Sequence, residues 1–184
     1  MKTNILTIIF LMLYSISNAQ NQELDKRNGF KSLKLGTNID QFQDLEITSK
    51  KKDETSAIWT PSIDSELNNL FNDKIDLFTL VFDKNKNLSK ILIKLIVKGK
   101  NGDRTAKNKY DLIKGKMTSI LGKPKTNPKN PNLVLWKGTK VKMYLSLKYE
   151  TGKMNDEDKF ITLHSIDVVI LSSDGLKEKI SKGF

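Results

Sequence analysis

Apolar residues recur along this chain with two different periods, and the change of period divides it into elements. Between residues 76 and 98 the period is two. Phe78, Leu80 and Phe82 share one face, and after Lys84-Asn85-Lys86-Asn87 the pattern resumes with Ile91, Ile93, Leu95 and Val97. Successive side chains of a strand point to opposite sides. The spacing therefore predicts a hairpin with one buried face, turned by asparagines that tolerate left-handed backbone. The second strand's other face carries Lys90, Leu92, Lys94, Ile96 and Lys98.

At residue 105 the period lengthens. Tyr110, Ile113, Met117, Ile120 and Leu121 form one stripe of a helix over 105–121. Gly122 and Pro124 end it in the usual order. Residues 133–136 start another strand, period two returns at 140–149 with Val141, Met143, Leu145, Leu147 and Tyr149, and 160–171 reads as a long, mostly apolar strand. Upstream, Ile39, Phe42 and Leu45 recur at spacing three behind Thr37, which predicts a short helix over 38–45. Residues 46–54 read as a charged connector. Residues 59–61 read as extended before Pro61, and 63–72 as a short helix around Leu67, Leu70 and Phe71. The resulting order predicts an α+β fold. An antiparallel meander sheet carries helices packed on one face, in the outline of two helix-plus-meander units.

The first twenty residues follow a different logic. Lys2 precedes an apolar run from Ile5 to Leu13, and Ser17-Asn18-Ala19 gives a small-x-small exit. This is the three-part layout of a secretory signal peptide. The run is too short to span ~30 Å of hydrocarbon, which needs about 20 residues. The expectation is export to the periplasm or beyond, with cleavage between Ala19 and Gln20. Residues 1–19 are then the signal, 20–28 a flexible leader and 29–184 a single domain. No later stretch predicts a transmembrane segment, because the best apolar run, 91–97, contains Lys94.

Composition narrows the partners. There is no cysteine, so the expected export brings neither disulfides nor a thiol-linked lipid anchor. The formal net charge is +11, yet Arg27 and Arg104 are the only arginines. Nucleic-acid recognition leans on the arginine fork, so lysine-rich basicity points away from nucleic acid. It points instead toward a protein partner or an anionic envelope component.

Leu121-Gly122-Lys123-Pro124, followed after a loop by Trp136, resembles the Leu-Gly-x-Pro…Trp pattern of SmpA/OmlA-like (BamE) outer-membrane assembly proteins. Lys34-Leu35-Gly36-Thr37 is similar to the approach to their first helix. The helix-then-meander order is also similar to the two-unit β-lactamase-inhibitor-like fold, and the chain as a whole to small exported Bacteroidota proteins of unknown function. The resemblance implies an α+β fold. It does not carry the assembly role, since the lipid-bearing cysteine of that family is missing and function lives in sites rather than folds.

Local chemistry is sparse. His164 is the only histidine, and in Thr162-Leu163-His164-Ser165-Ile166-Asp167 its strand neighbours Ser165 and Asp167 fall on the opposite face. These neighbours cannot form a nucleophilic triad. One histidine without cysteine does not make a zinc site. Asp156-Glu157-Asp158 lacks the spacing and glycine of a calcium loop, and no glycine-rich phosphate loop is present. No metal or cofactor is implied. What remains is a surface. With 88–98 and 140–149 in one sheet, Leu92, Lys94, Ile96, Lys142, Tyr144 and Lys148 share its outer face, apolar residues rimmed by lysines. The alternative is that residues 46–72 cover Leu92 and Ile96. The expectation is a non-enzymatic binding module. Its alternatives are a periplasmic hydrolase with dispersed carboxylates and a carrier of a small apolar ligand.

Overall fold

The computed structural model describes residues 22–97, 102–153 and 160–173. The signal segment with its Ala19–Gln20 junction and the acidic run 156–158 lie outside them.

Residues 22–27, within the polar leader, form a helix, α1. Strands β1 (Gly29–Phe30) and β2 (Leu33–Lys34) follow as a tight antiparallel pair. Glycine is required at 29, because a Cβ there would stand 2.0 Å from the Leu33 carbonyl oxygen. Then come β3 (Leu45–Lys51), β4 (Glu54–Trp59), the two-residue pair β5 (Asn69–Leu70) and β6 (Asp73–Lys74), β7 (Leu77–Asp83) and β8 (Leu88–Val97). The long helix α2 (Gly102–Leu121) leads to β9 (Lys125–Asn127), β10 (Asn130–Lys137), β11 (Val141–Lys153) and β12 (Phe160–Ser172).

Eight of these strands form one antiparallel sheet in the order β3-β4-β7-β8-β12-β11-β10-β9. It consists of two four-strand meanders whose last strands, β8 and β12, pair at the centre, with Ile93 opposite Val168 and Leu95 opposite Ile166. The fold is mainly β, which corrects the α+β expectation of several helices packed on a sheet face. The described residues contain two helices, and α2 alone is long.

The correction has a local cause. The stretch expected as a helix over 38–45 is a 3-10 turn at Ile39–Gln41, and Phe42 is already extended. Phe42 is drawn into an aromatic cluster, 5.5 Å from Trp59 and 5.4 Å from Phe82 between ring centres. Asp44, at φ 57°, then turns the chain into β3. The charged segment after it is not a connector. It is the edge hairpin β3–β4, whose exposed Lys50 and Lys51 are the type of residue that blunts a sheet edge.

The inward strand faces share one hydrophobic core with residues of most of the smaller elements. Leu24 of α1, Phe30 and Leu33 of the β1–β2 pair, and Leu67, Leu70 and Ile75 join it from one side. Ala106, Tyr110, Ile113, Met117 and Leu121 of α2 join the same cluster. Trp136 donates its indole N–H to the Gly122 carbonyl at 2.8 Å, which ties the end of α2 to β10. Asp25 accepts the backbone N–H groups of Thr139, Lys140 and Val141 at 2.8, 2.8 and 2.9 Å, which ties α1 to the β10–β11 turn.

Tyr110 is fully buried beneath α2, and its hydroxyl has no hydrogen-bond partner among the described residues. Burial, and secondarily the Asp111 carboxylate, pushes its pKa up to about 12. The unfolded chain therefore ionises this group first, near its ordinary value of about 10. Its contribution is complete below pH ~10 and should be lost through pH ~12 at about 1.4 kcal/mol per unit. Tyr110→Phe removes an unpaired polar atom, so it should be neutral or stabilising by about 1 kcal/mol at pH 8 and should lose this alkaline slope. Urea denaturation of both proteins at pH 8 and pH 11 measures the difference. Equal slopes would mean that Tyr110 reaches solvent in the folded state.

Candidate functional site

Among the described residues, the core side chains of the smaller elements gather on one side of the sheet, and the other side is half-buried along most of its length, with Val81, Ser165 and Asp167 buried on it. Its residues run in rows fixed by strand register. In one row Thr79 faces Leu92, Leu92 faces Val169, Val169 faces Tyr144, and Tyr144 faces Leu135. The next row runs Leu77, Lys94, Asp167, Ser146 and Leu133, and beyond it lie Ile96, Ser165 and Lys148. On the other flank Lys90, Leu171, Lys142 and Lys137 form a further row.

All six residues expected to share a face do so. Leu92, Lys94 and Ile96 stand on β8, and Lys142, Tyr144 and Lys148 on β11, with β12 between the two strands. Leu92, Ile96 and Tyr144 are half-buried by their strand neighbours, and Lys148 is exposed. Residues 46–59 extend the sheet, and Leu67, Leu70 and Ile75 pack on its inner side. That segment therefore does not cover Leu92 or Ile96. Sequence reasoning missed Ile58, Leu77, Val81, Leu133, Leu135, Val169 and Leu171 on the same face. Their alternation is legible, but the insertion of β12 between β8 and β11 is not.

The polar chemistry of this face is concentrated in one place. Lys148 Nζ lies 2.7 Å from Asp167 Oδ2. The other carboxylate oxygen of Asp167 and the hydroxyl of its neighbour Ser165 are buried without a hydrogen-bond partner among the described residues. Lys148 is more than half exposed, so the pair itself is worth no more than about 1 kcal/mol. Lysines dominate the surroundings. Lys90, Lys94, Lys137 and Lys142 join Lys148, with Asp167 as the acid set among them.

His164 stands on the opposite, inner side, as strand alternation requires. It is 5% exposed, and its Nε2 meets the Asp103 carboxylate in the first turn of α2. Its ring lies edge-on to Tyr149 with centres 5.2 Å apart. A Cβ on Gly102 would come within 2.7 Å of Nδ1, so the start of α2 is fitted directly over this ring. His164 is thus a docking post for the helix, and Ser165 and Asp167 face away from it.

Three surface concavities sit on or beside the inner side. One, of about 780 Å³, runs past Phe42, Trp59 and Pro61 and includes Asp44. A second, of about 460 Å³, runs past Ile63, Ile75 and Phe78 and includes Asp76. The third, of about 370 Å³, lies between β1, Phe71 and the C-terminal half of α2 and contains no carboxylate. None of the three brings together the two carboxylates that glycoside hydrolysis needs. No group of three or more His, Cys, Asp or Glu side chains converges among the described residues. No helix among them is long and apolar enough to cross a membrane.

Comparison with known proteins finds no matching family model, no matching curated protein and no matching solved structure.

Proposed function

We propose that this chain is an exported, non-enzymatic binding module whose partner site is the outer face of the eight-stranded sheet. The partner is a protein presenting an apolar strip flanked by carboxylates. One observation carries the reading. A continuous apolar row from Leu92 through Val169 and Tyr144 to Leu135, half-buried along its length, crosses the face opposite the one that holds the hydrophobic core. Contiguous apolar surface rimmed by polar groups marks interaction sites. The lysines on both flanks supply complementarity and a steering field for an acidic partner rather than raw affinity. The signal-like first nineteen residues support placing that partner in the cell envelope or outside.

The test is a triple variant, Leu92→Thr, Ile96→Thr and Tyr144→Thr, which keeps β propensity and removes apolar area. Each substitution should cost less than about 1 kcal/mol, because the side chains are already partly in water. Capture of the partner from envelope extract by the wild-type protein should disappear, while the melting temperature falls by no more than about 10 °C, at about 2–4 °C per kcal/mol over three substitutions. Undiminished capture, or loss of folding, would remove the outer face from consideration.

A further inference from the structure

We infer that the apolar groove between β1, Phe71 and α2 binds one small amphiphilic anion, an apolar chain ending in a single carboxylate. The groove lies on the inner side of the sheet, opposite the proposed partner face, and stands whether or not that face binds anything. Met143 and Val168 of the sheet form its floor. Phe30 and Phe71 wall one side, and Met117 and Ile120 of α2 wall the other. Its volume of about 370 Å³ is that of a pocket for one small molecule. Two methionines in the lining suit a chain of variable shape, because the thioether side chain is flexible and polarizable.

The mouth sets the charge of the occupant. Arg27, Lys31 and Lys34 all line it, and no acidic side chain does. They are gathered by the local backbone. Lys34 Nζ donates to the Arg27 carbonyl at 2.8 Å, and Lys31 Nζ donates to the Glu66 carbonyl. Arg27 also pairs with Glu23 at 2.8 Å, with both groups substantially exposed. A carboxylate arriving at this rim meets three cationic side chains whose present partners are two backbone carbonyls and the part-exposed Glu23, while its chain enters the apolar interior. Ile120 is 41% exposed at the mouth, an apolar side chain at the place where such a chain would pass.

Titration of the full-length chain with dodecanoate below its micelle concentration tests this, with dodecanol as the uncharged probe. Saturable one-to-one binding is expected, with dodecanol at least about tenfold weaker, since one lost ionic contact of about 1.4 kcal/mol is a tenfold change. In carbon-13 methyl spectra, the Met117 and Met143 signals should shift with dodecanoate. Lys31→Glu with Lys34→Glu, both exposed positions, should weaken dodecanoate at least tenfold without unfolding the protein, and Ile120→Glu should do the same from a single site. The outer-face triple variant should bind dodecanoate as the wild type does. Absence of saturation, equal affinity for dodecanol, or binding that leaves the Met117 and Met143 methyls unmoved would overturn the inference. So would a dimer that Ile120→Glu returns to monomer, which would give the groove to a second copy of the chain.

Discussion

Ile93→Asn is expected to cost about 3–8 kcal/mol of stability, whereas Leu92→Asn, one residue away, should cost about 1 kcal/mol. The contrast follows from register. Ile93 has no exposed surface and is flanked across the ladders by Phe78 and Val168, both buried. Removing its branched side chain loses about 2–5 kcal/mol through transfer and cavity formation. The unpaired amide left in that space adds about 1–3 kcal/mol. Together these terms come to about 3–8 kcal/mol, a large fraction of the stability of a domain held at about 5–15 kcal/mol. Leu92 is half-buried on the outer face between Thr79 and Val169, so an amide there keeps its water. Circular dichroism melts of the two variants measure the difference. Similar losses from both would mean that the outer face is covered in solution, and the proposed partner surface would go with it.

The same alternation explains what could be read from sequence and what could not. Strands β7, β8, β10, β11 and β12 and the helix α2 were legible because each buries one face, and a half-buried element writes its period into the chain. The edge hairpin was not legible. Only Ala57 among the residues of β3 and β4 is buried, so charge and small polar groups mask the period there. The spacing of Ile39, Phe42 and Leu45 mimicked a helix for a tertiary reason. The three side chains pack on the core from a 3-10 turn, an extended residue and a strand start. Pattern alone does not separate these cases.

The binding face was legible residue by residue but not as a surface. Leu92, Ile96 and Tyr144 stood out as apolar residues at outward positions. Their union into a row needs the pairing of β8 with β12 and of β12 with β11, which depends on long-range register. The inner groove was less legible still. Phe30, Phe71, Met117 and Met143 come from four separate elements or loops, and each reads as an ordinary core residue. The Gly122 and Trp136 pair is the opposite case. Two residues noticed for their spacing are joined by a hydrogen bond that gives the spacing a structural reason.

Asp25→Ala should lower stability by about 2–3 kcal/mol, an unusually large effect for a part-exposed residue near the start of the described chain. Its carboxylate accepts three backbone N–H groups from the β10–β11 turn, more than a hundred residues away. Hydrogen bonds to a charged acceptor are worth about 1.5–3 kcal/mol each when buried. Water replaces part of that here, because Thr139 and Lys140 are exposed. The melting temperature should fall by roughly 5–10 °C, and amide exchange at residues 139–141 should accelerate. Asp25→Asn should recover about half of the loss, since one oxygen of the native carboxylate already accepts two of the three bonds.

The turn is shaped around this carboxylate. A Cβ on Gly138 would stand 2.2 Å from Asp25 Oδ1. Gly138→Ala should therefore displace the Asp25 side chain and reproduce much of the Asp25→Ala loss. The two substitutions should then be non-additive, because the second removes an interaction that the first has already broken. Gly138→Ala is expected to cost at least about 1 kcal/mol less in the Asp25→Ala background than in the wild type. Additive losses would show that the glycine serves only its own turn. A positive coupling would establish that Gly138 and the Asp25 carboxylate act as one unit, which together with the buried Leu24 ties α1, and Arg27 with it, to the sheet.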